Sequence, residues 1–204
     1  VDESWVKNLD AVNRGIADLT GLGMFSGLTN VYLKGNQISD IAPLSRCFSI
    51  EELSLWNNQV IDISPLAALT QMRYLFLAEN QIEDVSPLSS LVSLHFLDLR
   101  DNQISDISAL DSLHDVVMLD LRKNKIKDIS ALTNLTNLSY LYLAENRISD
   151  ISPLVENAGL GKGDLVYLEG NDLDLKEGSE DMESIRALEA RGVVVRYVAP
   201  EGAP

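Results

Sequence analysis

Two aspartates have a spacing that could support acid–base chemistry. Asp98 and Asp120 are 22 residues apart, and each lies in the sequence Leu-Asp-Leu-Arg. On adjacent strands their carboxyl groups would be roughly 5 Å apart, a separation that a retaining glycosidase could use. We expect them to lie on an open sheet without a pocket, where Arg100 and Arg122 would keep both ionised. The pair therefore gives little support for catalysis.

Other catalytic or metal-binding patterns are missing from the sequence. His95 and His114 are the only histidines, and neither has a cysteine partner or a serine–carboxylate arrangement. There is no P-loop, no G-x-G-x-x-G and no Cys/His cluster. An aspartate recurs in each repeat, but one carboxylate per repeat does not supply the six to eight oxygens that calcium takes. The sequence predicts a non-enzymatic protein without cofactor or metal.

Composition excludes several classes of partner. The 204 residues include 31 acidic and 16 basic side chains, which gives a net charge of −15. That charge argues against binding to nucleic acid or to an anionic membrane surface. No apolar run approaches the roughly 20 residues that cross a bilayer, so membrane insertion is not expected. Cys47 is the only cysteine, so no intrachain disulfide forms, and we expect it to be a small buried hydrophobe.

An asparagine that recurs every 22 residues is the strongest pattern in the chain. It occurs at Asn36, Asn58, Asn80, Asn102, Asn124 and Asn146, and Asn171 follows after 25 residues. The Gly-rich stretch AGLGKGD accounts for the longer step and predicts an inserted loop. The aligned pattern is L-x-x-L-x-L-x-x-N-x-I-x-D-I-x-P-L-x-x-L. This period and consensus are typical of leucine-rich repeats.

Each repeat position has a physical reason. Leucines alternate with other residues, which predicts parallel strands whose aliphatic side chains share one continuous core. The asparagine side chain can donate and accept hydrogen bonds where the chain turns sharply after the strand. In the segment DISPL, the aspartate can cap a short helical turn that begins near a proline. We expect a single 3₁₀ turn on the convex side of each coil.

We predict three segments along the chain. Residues 1–175 form a repeat array of about eight coils, whose degenerate first coil has Arg14 in the asparagine position. A helix over residues 2–12 is the alternative for that coil, and its open end suggests a capping segment upstream of Val1. Residues 176–198 form a C-terminal cap, with a helix from about Ser179, Gly192 after its end, and a strand at 193–197. Residues 199–204 look like the start of a linker.

The repeat L-x-x-L-x-L-x-x-N-x-I-x-D-I-S-P-L, nearly verbatim in residues 119–140 and 141–154, resembles bacterial leucine-rich-repeat proteins of the internalin-like kind. The resemblance covers roughly residues 6–175. It implies a curved, right-handed solenoid with parallel strands on its concave side, often one module of an exported protein. Members commonly bind other proteins through that concave face. The motif residues fix the fold, whereas the contacting positions vary between members.

Aromatic residues concentrate at the outward strand positions six, four and two residues before each asparagine. Eight of the twelve aromatic residues fall there, and such a contiguous sheet of rings suggests a binding surface. The candidate partner-binding residues are Tyr32, Trp56, Tyr74, Phe76, Phe96, Arg100, Arg122, Tyr140, Tyr142 and Tyr167. Stacking between rings on adjacent strands is the structural alternative, and we expect it in part for Tyr74/Phe96 and Tyr142/Tyr167. The two Asp-Leu-Arg segments would form a charged cluster that either pairs across adjacent coils or helps to select the partner.

These observations together predict an extracellular or surface-attached monomer that binds a partner protein through its aromatic concave face. Carbohydrate binding, with the same rings stacked on sugar faces, is the first alternative. An intracellular leucine-rich-repeat scaffold is the second. The identity of the partner does not follow from the sequence.

Overall fold

Nine parallel strands form one sheet in residues 5–197, which are the residues that the computed structural model describes. Their order in the sheet is their order in the chain, without a crossover. The strands are β1 (Asn8–Asp10), β2 (Asn30–Tyr32), β3 (Glu52–Ser54), β4 (Tyr74–Phe76), β5 (Phe96–Asp98), β6 (Met118–Asp120), β7 (Tyr140–Tyr142), β8 (Leu165–Tyr167) and β9 (Val194–Arg196). They line the concave side of a curved, right-handed leucine-rich-repeat solenoid, as predicted.

Alternation along each strand separates the core from the outer face. Leu75 on β4 pairs in register with Leu97 on β5, and both are buried. The equivalent inward positions of the other coils extend this contact into one aliphatic core along the array. Cys47 lies in that core, fully buried, as predicted, and burial raises the pKa of its thiol. Because one coil cannot cover its own leucines, the coils are stable only as a stack.

Short helical turns return the chain on the convex side. In the described part of the chain, 3₁₀ turns occupy Leu22–Met24, Ala42–Arg46, Ser64–Ala68, Ser86–Ser90, Ser108–Ser112 and Ser130–Asn134. The next coil differs from the prediction, because it contains a five-residue α-helix, α1 (Ser152–Glu156). There the Asn157 amide donates to the Pro153 carbonyl at 3.0 Å. The three extra residues of the following loop give this coil room for a wider turn.

The repeated aspartate lies one residue before the N-cap position, and its carboxylate accepts hydrogen bonds from the first residue of the helical turn. Asp62 Oδ1 accepts from the Ser64 amide at 2.8 Å, and Oδ2 accepts from the Ser64 hydroxyl at 3.0 Å. The N-cap position itself is held by Ile63, so the aspartate satisfies the first helical amide instead of the second or third. These bonds from Ser64, the backbone one first, lower the pKa of the Asp62 carboxyl. Asp106 has the same contact with Ser108.

The repeated asparagine joins each coil to the one before it, through the donor and acceptor roles that the sequence suggests. Asn102 Nδ2 donates to the carbonyls of Leu77 and Leu99, both at 3.0 Å. Its Oδ1 accepts from the Ile82 amide, also at 3.0 Å. Leu77 and Ile82 belong to the preceding coil, and Asn102 is buried. The side chain therefore satisfies backbone groups that the sharp turn would leave without partners.

The first coil is a strand, and the alternative of a helix over residues 2–12 is wrong for its described part. Residues 8–10 form β1, which pairs with β2. The amides of Arg14 and Ile16 both donate to Asn36 Oδ1 at 3.0 Å. This coil therefore joins the row of repeated asparagines, the asparagine ladder, although Arg14 occupies its own asparagine position. Residues 1–4, the last residue of the predicted cap (198) and the predicted linker at 199–204 lie outside the described residues.

The helix α2 (Glu180–Ala190) and β9 close the C-terminal end. Ser179 is the N-cap residue of α2, and its hydroxyl accepts from the Met182 amide at 3.2 Å. Gly192 follows the helix with φ 89°, a conformation that glycine adopts without strain. The Arg191 guanidinium donates to the carbonyls of Val155, Asn157 and Leu160, which fastens α2 to the last coil. No helix within residues 5–197 is long and apolar enough to cross a membrane.

Candidate protein-interaction surface

The outward positions of the strands form one continuous surface, which we call the concave face. All ten predicted partner-binding residues lie on it, at the ends of strands or two residues after them. The register aligns them in columns across the sheet, because Tyr74 pairs with Phe96 and Tyr142 with Tyr167. Their role in binding stays a prediction, but their juxtaposition is a property of the fold.

Most rings on the concave face are half-buried, and four of them cover one another in two pairs. Tyr74 and Phe96 lie 5.4 Å apart between ring centroids and are tilted by 35°. Tyr142 and Tyr167 are stacked at 4.8 Å. The predicted stacking of both pairs is confirmed. Tyr140 is the most exposed of the rings on this face, at 43%. The surface therefore consists of ordered aromatic side chains that are still reachable from solvent.

Trp56 is held by two cations, one of which was not among the predicted site residues. Lys34 Nζ lies 3.4 Å from the centroid of the indole ring, and Arg100 Cζ lies 5.3 Å from it. Lys34 approaches from the side of β2, and Arg100 reaches over the small, buried Ala78 from the side of β5. Such cation–π contacts restrain all three side chains. A lysine in the same column as a tryptophan was the signal that could have identified Lys34.

Arg122 and Asp120 form a bidentate ion pair within one coil. Arg122 Nε donates to Asp120 Oδ1 at 2.9 Å, and Nη2 donates to Oδ2. The carboxylate is 2% exposed, and its hydrogen bonds to the guanidinium raise the pKa of Arg122. The same guanidinium lies 4.9 Å from the centroid of the Tyr142 ring. The geometry of this pair fits strong carboxylate recognition by arginine.

The charged cluster does not pair across adjacent coils, so that alternative is wrong for its aspartates and arginines. Arg100 forms an ion pair with Glu79 at 3.6 Å, not with either aspartate. Asp98 has no ion pair with any residue in 5–197, and its Oδ1 accepts from the Arg100 amide at 3.1 Å. Burial, followed by smaller effects that include the charge of Asp120, raises the pKa of Asp98. The charges of Arg100 and Arg122 lower this pKa, as expected, but burial outweighs them.

The histidines occupy structural positions. His95 Nδ1 lies 2.7 Å from the Ser93 carbonyl oxygen, and the side chain is half-buried. His114 is exposed, with Nδ1 3.3 Å from the Asn134 carbonyl oxygen. Within the described residues, no three or more His, Cys, Asp and Glu side chains come together as a metal site. The groups that the concave face can offer to a ligand are therefore aromatic rings, a carboxylate and guanidinium groups.

Known structures share this architecture. The crystal structure of internalin C2 from Listeria monocytogenes is 32% identical, with a TM-score of 0.85, over 96% of this chain and 82% of that one. A leucine-rich-repeat protein from Leptospira interrogans is 23% identical, with a TM-score of 0.71, over 87% of this chain and 44% of that one. The ectodomain of a plant membrane receptor kinase from Arabidopsis thaliana was solved in complex with Casparian strip integrity factor 2. It is 24% identical, with a TM-score of 0.75, over 95% of this chain and 24% of that one. The last two likenesses show the fold alone.

Sequence comparison identifies the repeats directly. The family model described as leucine-rich repeats in two copies matches residues 49–90, 70–112 and 115–156, more than half of the chain. No sequence among curated proteins matches. The leucine-rich-repeat fold is commonly a protein-interaction module, and its members are typically non-enzymatic scaffolds. This chain belongs to the leucine-rich-repeat family and is internalin-like.

Proposed function

We propose that this chain is a non-enzymatic module that binds a partner protein through its concave face. The observation that carries the proposal is an unbroken apolar stripe in the first column of that face. The stripe runs over six adjacent strands and consists of Tyr74, Phe96, Met118, Tyr140, Leu165 and Val194. With strands about 4.8 Å apart, it is about 24 Å long. A contiguous apolar surface of this kind is typical of an interaction site.

Order within the face favours binding. Stacked pairs and cation–π contacts already restrain Tyr142, Tyr167 and Trp56. Less side-chain entropy is then lost when a partner covers them, which leaves more of the contact energy for affinity. Tyrosine, tryptophan and arginine are also the residues that most often dominate binding energy at protein interfaces.

The same contacts disfavour the carbohydrate alternative. A sugar that stacks on an aromatic residue needs a free ring face. Tyr142 has the Arg122 guanidinium and the Tyr167 ring against it, and the Trp56 ring carries Lys34. Two of the best candidate rings are thus covered by neighbouring side chains. A protein partner can use their edges and the adjoining stripe instead.

We place the module at the bacterial surface or in a secreted protein, as a monomer. The support is its 32% identity to a Listeria monocytogenes internalin. We also keep the division into an array at 1–175 and a cap at 176–198, since Arg191 anchors α2 to the array's last coil. An intracellular scaffold is the competing proposal. The first codons of the full-length gene distinguish them, because an export signal there supports the surface location and its absence supports the scaffold.

The binding test is a double variant, Tyr74→Ala with Phe76→Ala. We expect it to abolish capture of the partner in affinity pull-downs from host and self lysates while changing the melting temperature little. Phe48→Ala is the matched control, because Phe48 is an exposed ring away from the concave face. Undiminished capture by the double variant would contradict the proposal. A large loss of stability would show instead that the rings mainly support the fold.

A further inference from the structure

Two successive coils contain the same segment, Leu-Asp-Leu-Arg, but their arginines make different contacts. In the second coil, the Arg122 guanidinium donates three hydrogen bonds to the Asp120 carboxylate. In the first coil, Arg100 turns away from Asp98, towards Glu79 at 3.6 Å and the Trp56 ring at 5.3 Å. The difference leaves one of two equivalent carboxylates without a cationic partner in the described part of the chain.

The unpaired carboxylate lies in the middle of the concave face. Asp98 is half-buried, and its register partners are Phe76 on β4 and Asp120 on β6. Its hydrogen bond from the Arg100 amide uses Oδ1, so Oδ2 has no hydrogen bond from residues 5–197. Asp98 is in the second column of the face, beside the apolar stripe of the first column. A half-buried carboxylate with an uncompensated charge is unfavourable unless a donor meets it.

We propose that Asp98 selects the partner by accepting hydrogen bonds from a lysine or arginine side chain of the partner. Apolar residues beside that cation in the partner rest on the apolar stripe. This inference rests on the proposed use of the concave face and names the chemistry of the bound segment, which is basic and apolar together. Asp98 is the specificity-determining contact, and the rings supply the contact area.

Electrostatics supports a cationic segment. The chain has a net charge of −15, which attracts basic partners over a distance and speeds their association. Burial and the nearby Asp120 charge raise the pKa of Asp98, against the smaller opposing effects of the Arg100 amide and of the Arg100 and Arg122 charges. A partner cation would offset the part of the desolvation cost of Asp98 that the Arg100 amide and the two arginine charges leave uncompensated. In surroundings of low polarity that ion pair is stronger than a pair in water.

The test uses a phage-displayed library of random 12-residue peptides, selected against the purified chain. We expect enriched peptides to carry a lysine or arginine beside an aromatic or aliphatic residue. Fluorescence polarisation should show that Asp98→Asn weakens their binding at least tenfold. Asp115→Asn is the matched control, because it removes the same charge from an exposed turn before β6 and should leave binding unchanged.

A charge exchange makes the test specific. The Asp98→Lys variant should bind a peptide in which the essential cation is replaced by glutamate, and should bind the original peptide poorly. Enriched peptides without a cation would overturn the inference. If Tyr74→Ala with Phe76→Ala abolishes peptide binding while Asp98→Asn does not, the face binds proteins but Asp98 does not select them. If neither change affects binding, both the inference and the proposed function are wrong.

Discussion

The convex side of each coil, which we call the arc, repeats its contacts along the array, whereas the concave face does not. On the arc, the same contact recurs from coil to coil, as at Asp62 with Ser64 and at Asp106 with Ser108. On the face, a single column changes from Phe76 to Asp98 within one strand step. The arc and the inward leucines specify the stack, so the outward positions can vary at a smaller cost to the fold. Variation there is what a family of binding modules needs.

The difference should be largest when adjacent residues on opposite sides of β5 are truncated. Leu97 is 1% exposed and belongs to the core, so Leu97→Ala should lower the free energy of unfolding by about 2–5 kcal/mol. Phe96→Ala removes mainly the contact with the Tyr74 ring and should cost about 0.5–1.5 kcal/mol. Urea denaturation measures both values. Equal losses would mean that the face is as much a part of the core as the leucines.

Variants of the asparagine ladder should show the next largest loss of stability. Asn102→Ala leaves the Leu77 and Leu99 carbonyls and the Ile82 amide without their side-chain partner, and should destabilise the chain by about 1–3 kcal/mol. Gln81→Ala is the control, because this exposed side chain follows the equivalent Asn80 and should change stability by less than about 0.5 kcal/mol. At temperatures where Asn102→Ala is folded, partner binding should be unchanged. A binding defect there would show that the two sides of the coil are coupled.

The smallest expected effect is a change in melting temperature that has opposite signs for variants of two aspartates. The Asp62 pKa is lowered by its Ser64 hydrogen bonds, so Asp62 stabilises the fold above its unfolded pKa and loses this contribution as pH falls through the lowered value. The Asp98 pKa is raised by burial, so its ionised form disfavours folding, and this penalty disappears in acid. Melting temperatures at pH 7 should therefore fall for Asp62→Asn and rise for Asp98→Asn. Both differences should shrink at about pH 3, below the ordinary aspartate pKa of about 3.9. The same sign for both variants would contradict this assignment.

The parts of the fold that depend on periodic or local signals could be predicted from the sequence. The recurrence of asparagine identified the ladder, and alternation identified the two sides of each strand. Ser179 and Gly192 marked the ends of α2, because capping and positive φ are local requirements. The placement of the candidate residues on one face follows from the same periodicity.

Side-chain pairing on the concave face could not be predicted in this way. Arg100 and Arg122 have the same local sequence, but Arg100 contacts Trp56, which lies two strands away. The contacts of a long, flexible side chain depend on neighbouring residues in other coils, which an alignment of the repeats does not compare. The half-burial of several rings has the same origin, since Tyr74, Phe96, Tyr142, Tyr167 and Trp56 each contact a ring or a cation from another coil.

The asparagine ladder also determines how such a chain can change in length. Because each asparagine bonds the preceding coil with the same geometry, a complete 22-residue unit can be duplicated or deleted without an unmatched junction. Deletion of one unit between β4 and β7 would bring Tyr142 closer to Tyr74 by one strand spacing, about 4.8 Å. The span between recognition elements can therefore evolve, or be engineered, in fixed increments while every turn stays intact.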